Sequence, residues 1–148
     1  MFNVVLIEPE IPPNTGNIGR LCLATCSRLH LVKPLGFSLE DRQLKRAGLD
    51  YWNEADVHLW DSFAQLQSQQ KSNACYFFLT TKSGRAYYDV KFDQGDFLVF
   101  GRETKGLPES LLANNIDNCL TIPMYGVRSL NLATAVAIVL FEAVRQQT

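Results

Sequence analysis

An apolar helix near the carboxyl end constrains the fold of this chain more than any other feature. The segment from Leu132 to Val144 has helical length and almost no polar stripe. Its apolar residues are Ala133, Ala135, Val136, Ala137, Ile138, Val139, Leu140, Phe141, Ala143 and Val144. Such a helix must be covered on most sides. We therefore expect either that it runs through the centre of the domain or that a second subunit covers part of it.

A short apolar segment and a polar loop precede this helix. Residues 119–124 have the composition of a strand, and the loop that follows contains Arg128, Ser129 and Asn131. These polar residues stand where the helix begins, beside backbone N–H groups that have no partner within the helix. The order strand, loop, helix therefore predicts a ligand site at the start of the helix.

The totals favour one globular domain, residues 1–148, because 47% of the residues are hydrophobic and can form a sizeable core. We expect a cytoplasmic protein without membrane contact, since the chain starts directly in a strand pattern and its apolar runs are too short for a bilayer. The four cysteines lack a CxxC spacing, which favours buried, reduced thiols. Cys22 and Cys26 could share a helix face, but both histidines are isolated, so we predict no metal site.

The net charge of −1 argues against a protein that coats nucleic acid through its bulk charge. A local basic patch is still possible. Arg42, Lys45 and Arg46 have the i, i+3, i+4 spacing that places three cations on one helical face. This face is either an RNA contact or simply a solvated surface.

Strands and helices alternate along the chain. We predict strands at 2–7, 29–32, 56–60, 75–80, 97–100 and 119–124, and helices at 39–47, 62–70, 108–113 and 132–144. A further helix should begin near Asn14 or Thr15, after three prolines that keep residues 8–13 extended. The strongly apolar strand at 75–80 is expected to be central. The alternation predicts an α/β domain with a mainly parallel sheet flanked by helices.

Three loops rich in glycine or asparagine, at 14–20, 101–107 and 124–131, each follow a predicted strand. In a parallel sheet such loops share one edge and can form one crevice. None has a dinucleotide or triphosphate fingerprint, and no Ser-His-Asp pattern is present. Taken singly, each loop has a structural explanation: Asn14 and Asn17 shape a turn, Gly101 and Gly106 supply positive φ, and Arg20 pairs with Glu8 or Glu10.

Taken together, the loops resemble a known family. Asn14-x-Gly-Asn-x-x-Arg20, Phe100-Gly-x-Glu-x-x-Gly-Leu107, and Ile122-Pro-Met leading to Arg128-Ser-Leu-Asn-Leu132 are similar to the three ordered motifs of SPOUT-class RNA 2′-O-methyltransferases. Flanking segments at 8–12, 34–37, 46–51 and 79–82 resemble the minimal single-domain subfamily that methylates the wobble ribose of certain leucine tRNAs. The resemblance covers nearly the whole chain, although the loop before Arg128 is one residue shorter and Leu-Ala-Thr replaces a common Leu-Ser-Asn at 132–134.

The resemblance implies S-adenosylmethionine as methyl donor, tRNA as substrate, and a homodimer formed through the C-terminal helix and the motif loops. It also implies a deep trefoil knot near the carboxyl end, which the general avoidance of threading argues against. Two alternatives share the same motifs: methylation of ribosomal RNA, and a catalytically silent RNA-binding dimer.

The resemblance further implies roles for individual residues. The reaction centre would consist of Arg20, Asn14, Glu103, Ser129 and Asn131. The donor would be bound by Leu79, Thr80, Gly101, Ile122, Met124, Ser129 and Leu130. RNA would contact Arg20, Arg42, Lys45, Arg46 and Arg128, and no metal is implied.

Methyl transfer from a sulfonium to a ribose hydroxyl is an in-line displacement, so most of the protein's task is alignment. The hydroxyl also loses a proton, and no histidine lies in the three loops to accept it. The family's candidate base is Arg20, but a guanidinium stays protonated in proteins. The alternative is that Arg20 holds a phosphate or the ribose.

Overall fold

The computed structural model describes residues 1–70 and 73–148. One six-stranded sheet is formed by β1 (Asn3–Ile7), β2 (Arg28–Val32), β3 (Val57–Trp60), β4 (Tyr76–Leu79), β5 (Phe97–Phe100) and β6 (Cys119–Leu120). Every strand pair is parallel, in the order β3-β2-β1-β5-β4-β6. The predicted α/β architecture with a mainly parallel sheet is confirmed.

The expectation that residues 75–80 form the central strand is wrong. The strands at the centre are β1 and β5, whereas β4 lies next to the edge, between β5 and the two-residue β6. The apolar sequence of β4 requires burial on both faces of the strand. A position next to the edge strand already provides that burial. Phe77 and Phe78 are both buried there.

Helices cover both faces of the sheet: α1 (Pro12–Ala24), α2 (Arg42–Gly48), α3 (Phe63–Gln69), α4 (Glu109–Asn114) and α5 (Leu132–Gln147). Alternate residues of β1 point to opposite faces, as the strand repeat requires. Val4 and Leu6 belong to the core that contains residues of α1 and α5, while Val5 and Ile7 belong to the core that α3 and α4 cover. Three short 3₁₀ segments complete the structure, at Leu49–Glu54, Tyr87–Asp89 and Ile116–Asn118.

Helix α1 begins earlier than predicted. Ile11 is the N-cap and Pro12 and Pro13 form the first helical positions, so the prolines open the helix instead of keeping this stretch extended. Proline is well suited to the first turn, because its missing N–H would have no partner there and its φ is already helical. Asn14 and Asn17 therefore lie within a helix, and the interpretation that they shape a turn is wrong.

Other boundaries differ for local reasons. Helix α2 starts at Arg42, not at residue 39, because the Asp41 side chain accepts hydrogen bonds from the N–H groups of Gln43 and Leu44. Strand β6 ends at Leu120, well before residue 124. From there Thr121 bonds to the segment after β4: its N–H donates to Arg85 O, and its carbonyl accepts from the N–H of Tyr87.

Helix α5 extends to Gln147, and a single chain covers only one of its faces. Val136, Val139, Leu140 and Ala143 are buried, whereas Phe141 is 45% exposed. The chain therefore does not bury this helix on most sides. At its carboxyl end, the Gln146 and Gln147 amides donate hydrogen bonds to the carbonyls of Val90 and Phe92.

The cysteines are only partly as expected. All four thiols are free in the described part of the chain, and Cys22 and Cys119 are buried, but Cys26 and Cys75 are exposed. Burial raises the pKa of Cys22 to about 12, so this thiol is inert near neutral pH. None of the helices in the described residues combines the length and apolarity that crossing a bilayer requires.

Candidate active site

The three motif loops meet in one cleft of about 600 Å³ at the edge formed by the carboxyl ends of the strands. Its walls come from the start of α1, the loops after β4 and β5, and the segment between β6 and α5. All seven residues expected to bind the donor line this cleft: Leu79, Thr80, Gly101, Ile122, Met124, Ser129 and Leu130. The structure thus brings this set together from three separate parts of the chain.

Four of the five residues expected at the reaction centre also line the cleft: Asn14, Glu103, Ser129 and Asn131. Among the described residues, the cleft lining does not include Arg20. That side chain is exposed, and its guanidinium carbon lies 5.5 Å from the ring centre of Tyr51. The alternative that Arg20 pairs with Glu8 or Glu10 is wrong: among the described residues neither carboxylate forms an ion pair with Arg20, and Glu10 bonds to Arg102 and Thr104 instead.

A chain of side-chain hydrogen bonds joins the three loops. The Asn14 Nδ2 group donates to Glu103 Oε2 at 3.2 Å, and Asn131 Nδ2 donates to Asn14 Oδ1 at 3.0 Å. Asn131 also caps α5, since its Oδ1 accepts from the N–H of Thr134. Asn14 is only 6% exposed, which protects these bonds from water. Asn14 and Asn131 are therefore held in fixed orientations at the cleft wall.

Hydrogen bonds of Glu103 connect the loop after β5 to the start of α1. Besides the Asn14 amide, its carboxylate accepts hydrogen bonds from the backbone N–H groups of Glu10 at 2.8 Å and Ile11 at 2.9 Å. Three donors already occupy the two oxygens, so the geometry favours a structural role over proton transfer. Close by, Thr104 and Arg102 donate to Glu10 and lower the pKa of its carboxyl.

The loop after β5 folds back on itself and needs two glycines for different reasons. A Cβ on Gly101 would lie 2.2 Å from the carbonyl carbon of Gly106 and 2.3 Å from Leu107 N, so no side chain fits there. Gly106 has φ of +67°, a conformation that glycine adopts readily. The positive-φ interpretation holds for Gly106, whereas Gly101 is required by close backbone approach.

Apart from Arg20 on α1, the basic residues expected to contact RNA lie in two places. Arg128 lines the cleft and is exposed. Arg42, Lys45 and Arg46 are exposed on α2, outside the cleft, and Lys45 pairs with Glu40 at 2.7 Å. Helix α2 lies directly against α1: a Cβ on Gly16 would be 2.1 Å from Leu44 O. The first motif therefore also supplies the surface that holds the basic helix in place.

Sequence analysis did not assign several residues that the structure places in or near the cleft. Lys82 and Arg102 line it. Lys82 belongs to the turn-rich loop that follows β4. This position could have been used to predict that Lys82 is a site residue, because loops at this edge of the sheet carry function. Arg102 lies in the motif loop 101–107, so its position carried the same signal, but its contact with Glu10 joins residues far apart in sequence and had none. Lys82 also contributes to a second cleft of about 500 Å³ beside α4.

Comparisons with known proteins agree along the whole chain. The model of the SpoU rRNA Methylase family matches residues 1–141. A Geobacillus stearothermophilus protein, provisionally assigned as a tRNA (cytidine(34)-2′-O)-methyltransferase, is 51% identical over 153 residues, which cover 99% of this chain and 96% of the relative. The tRNA (cytidine(34)-2′-O)-methyltransferase of Saccharophagus degradans is 49% identical over 151 residues, with coverage of 99% and 96%.

Solved structures give the same result. A structure from work on the 2-OH methylation of C/U34 on tRNA superposes with a TM-score of 0.95 at 47% identity, over 99% of this chain and 96% of that one. The AdoMet-bound rRNA methyltransferase of Sinorhizobium meliloti superposes with a TM-score of 0.88 at 25% identity, over 99% of this chain and 57% of that one. With a family model matching nearly its full length and relatives about half identical, the chain belongs to the SpoU rRNA methylase family.

Proposed function

We propose that this protein transfers a methyl group from S-adenosylmethionine to the ribose 2′-hydroxyl of the wobble nucleotide, cytidine or modified uridine, in leucine tRNAs. The observation that carries the proposal is the single cleft on which all three motif loops converge. The relatives named for methylation at nucleotide 34 favour tRNA over other RNAs. The whole chain, 1–148, would act as one domain, in the cytoplasm.

The cleft fits the donor in size and chemistry. Its volume of about 600 Å³ lies within the usual range of small-molecule sites, roughly 300–1,000 Å³. Apolar side chains from Leu79, Ile122, Met124 and Leu130 suit an adenine ring and a sulfonium that loses its charge during transfer. The folded-back loop at Gly101 exposes backbone to the cleft without side-chain bulk. When bound there, S-adenosylmethionine supplies the methyl group.

The protein's own residues would act mainly by alignment. Asn14 and Asn131 are locked by their mutual hydrogen bond, so they present a rigid wall to the ribose. Ser129 and Arg128, both exposed at the cleft, would contact the ribose or a phosphate of the bound RNA. Arg20 lies outside this cleft, and we assign it to holding the RNA rather than to removing the proton.

We also propose a homodimer formed through α5 and the motif loops. The outward face of α5 carries the half-exposed Phe141, and the loop before it carries Tyr125 and Val127, which are 93% and 59% exposed. Large apolar side chains left exposed on one helix and on the loop before it favour an interaction surface. A second copy on this surface would provide the cover that one chain lacks.

A knot near the carboxyl end belongs to the same proposal. Residues 85–92 form hydrogen bonds with the chain on both sides of the loop at 122–131. Before this loop, Thr121 bonds to Arg85 and Tyr87. After it, Gln146 and Gln147 of α5 bond to Val90 and Phe92. These contacts support a path in which the segment from β6 to α5 passes beneath residues 85–92. Such a crossing would make one wall of the donor cleft.

Incubation of the purified protein with methyl-labelled S-adenosylmethionine and total tRNA from a strain lacking the enzyme tests the proposal. We expect label in leucine tRNAs. The Arg20→Ala variant should lose methyl transfer while donor binding, measured by calorimetry, is largely kept. Label in ribosomal RNA alone would favour the other substrate, and no label in any RNA, with RNA binding intact, would indicate a silent RNA-binding protein.

A further inference from the structure

A surface pair of arginine and tyrosine lies beside the first motif. The guanidinium carbon of Arg20 is 5.5 Å from the centre of the Tyr51 ring, within the distance at which a cation is attracted to an aromatic face. Both side chains are exposed, and Tyr51 keeps 44% of its surface accessible. The ring therefore restricts the orientation of a long side chain that would otherwise move freely in water.

The 3₁₀ segment that carries the ring is packed closely against α1. Tyr51 belongs to the 3₁₀ segment Leu49–Glu54, and its neighbour Trp52 packs against the core beneath α1. A Cβ on Gly19 would lie 2.6 Å from the Trp52 ring, so the indole occupies the space that a side chain there would need. Gly19 immediately precedes Arg20. Gly19 and Trp52, the chain neighbours of Arg20 and Tyr51, are therefore in close contact, which fixes the spacing between the two backbone segments that carry the pair.

We infer that Tyr51 is a positioning residue for methyl transfer: its ring holds the Arg20 guanidinium in the orientation in which it engages the RNA. The inference rests on the proposed function and extends it to a residue outside the three motifs. Fixing an arginine in advance reduces the rotamer entropy lost when it binds its target. The aromatic ring supplies this effect and the phenolic hydroxyl is not needed.

Steady-state kinetics of the full-length enzyme with tRNA and S-adenosylmethionine test the inference. Tyr51→Phe should behave as the wild type. Tyr51→Leu should raise the KM for tRNA by about two- to fivefold with little change in kcat, the equivalent of a cation–π contact worth roughly 0.5–1 kcal/mol at an exposed site. The KM for the donor should stay unchanged, and the melting temperature should fall by no more than the few degrees that loss of the contact itself costs, whereas a larger fall would indicate a purely structural role. Leu59→Ala, at an exposed apolar residue of the edge strand β3 outside the cleft, is the control and should leave the kinetics unchanged.

A double-mutant cycle in tRNA affinity, measured by filter binding, separates positioning from direct contact with the RNA, because affinity stays measurable after Arg20→Ala has abolished methyl transfer. If Tyr51 acts through Arg20, then Tyr51→Leu has no further effect in an Arg20→Ala background. An equal loss in both backgrounds would mean that the ring contacts the RNA itself, and would overturn the inference. A rise in the KM for tRNA in Tyr51→Phe as large as in Tyr51→Leu would also overturn it.

A measurement without substrate keeps this inference separate from the proposed function. The side-chain Nε–H resonance of Arg20, followed by NMR in the free protein, should shift and become more mobile in Tyr51→Leu but not in Tyr51→Phe. An unchanged resonance would contradict the positioning role even in an active enzyme. A wild-type protein that transfers no methyl to tRNA but shows the expected resonance change would refute the proposed function alone.

Discussion

Asn14 fixes the relative placement of three loops through one amide group. Its two amide atoms bond to Glu103 on one side and Asn131 on the other, across 89 and 117 residues of sequence. Sequence spacing indicates that the loops share a sheet edge, because each follows a parallel strand. It does not indicate which polar atoms meet, since those partners depend on packing between distant segments. For this reason the convergence of the loops was predictable from the order of strands, the individual cleft residues were suggested only by the family resemblance, and the structural role of Glu103 was not predictable.

Gly101→Ala should abolish donor binding. The added methyl would sit 2.2 Å from the backbone of Gly106, and a backbone neighbour can move only if the whole loop shifts. We expect a large rise in the dissociation constant for S-adenosylmethionine, measured by calorimetry, and a loss of stability of about 1–3 kcal/mol from overpacking. Gly84→Ala is the matched control, because a Cβ there meets nothing within 4 Å. Unchanged affinity in Gly101→Ala would remove this loop from the donor site.

His30 should make the protein less stable in mild acid. The His30 side chain is buried, with 2% of its surface exposed. Its Nδ1 accepts a hydrogen bond from Trp60 Nε1 at 3.0 Å. The ring proton is therefore on Nε2, which donates to Asn3 Oδ1. Burial, with the nearby His58 and Arg28, lowers its pKa to about 4. Between that value and the ordinary value near ~6.5, only the unfolded chain binds the proton, so stability falls as pH drops through this range, by up to about 3 kcal/mol.

Urea unfolding at pH 7.5 and pH 5 measures this effect. In His30→Gln the difference between the two pH values should shrink, because the titrating group is gone, even though the variant itself is less stable. An equal pH dependence in the wild type and the variant would show that other groups cause the acid sensitivity.

At the scale of elements, α1 connects the site to the basic surface. Its first turn carries Asn14 into the cleft, and its contact with α2 at Gly16 places the cations of α2 beside it. The alternating pattern of strands and helices predicted these elements. The early start of α1 at Pro12 was missed because proline was interpreted as a helix breaker, although it is favoured in a first helical turn. The 3₁₀ segment that carries Tyr51 was not predicted either, because so short an element has no detectable periodicity.

Replacing Arg42 and Arg46 with alanine together should weaken tRNA binding without changing donor affinity. Each lost phosphate contact reduces the slope of log affinity against log salt by about one, so we expect a decrease of about two. Filter binding over a salt series measures it. Lys91→Ala, which removes a cation that is 86% exposed elsewhere, should leave the slope unchanged. Identical slopes for the double variant and the wild type would favour the simple solvated face.

At the scale of the molecule, the unusually apolar α5 needs cover that a single chain does not supply. Sequence analysis identified this need but left open whether the domain or a second subunit meets it. One chain buries one face of α5 and leaves Phe141 45% exposed, which supports the second arrangement. The proposed knot could not have been derived from periodicity, because threading leaves no local pattern; only the resemblance to a family suggested it.

Phe141→Asp should convert the proposed dimer to a monomer, because a charge cannot be buried unpaired at an apolar contact. Light scattering coupled to size exclusion measures the mass, which we expect to halve relative to the wild type. Ile116→Asp is the control, since Ile116 is 73% exposed beside α4, on the opposite face of the sheet from α5. A wild-type protein that is already monomeric at micromolar concentration would contradict this part of the proposal.

Mass spectrometry of the RNA product tests the central claim most directly. Leucine tRNA lacking the modification is incubated with the protein and S-adenosylmethionine, digested with a ribonuclease, and its fragments are sequenced by mass. We expect one added methyl, on the ribose of nucleotide 34, in the wild type and none with Gly101→Ala. A methyl group at any other nucleotide, or an unmodified nucleotide 34 with an enzyme that binds both donor and tRNA, would contradict the account.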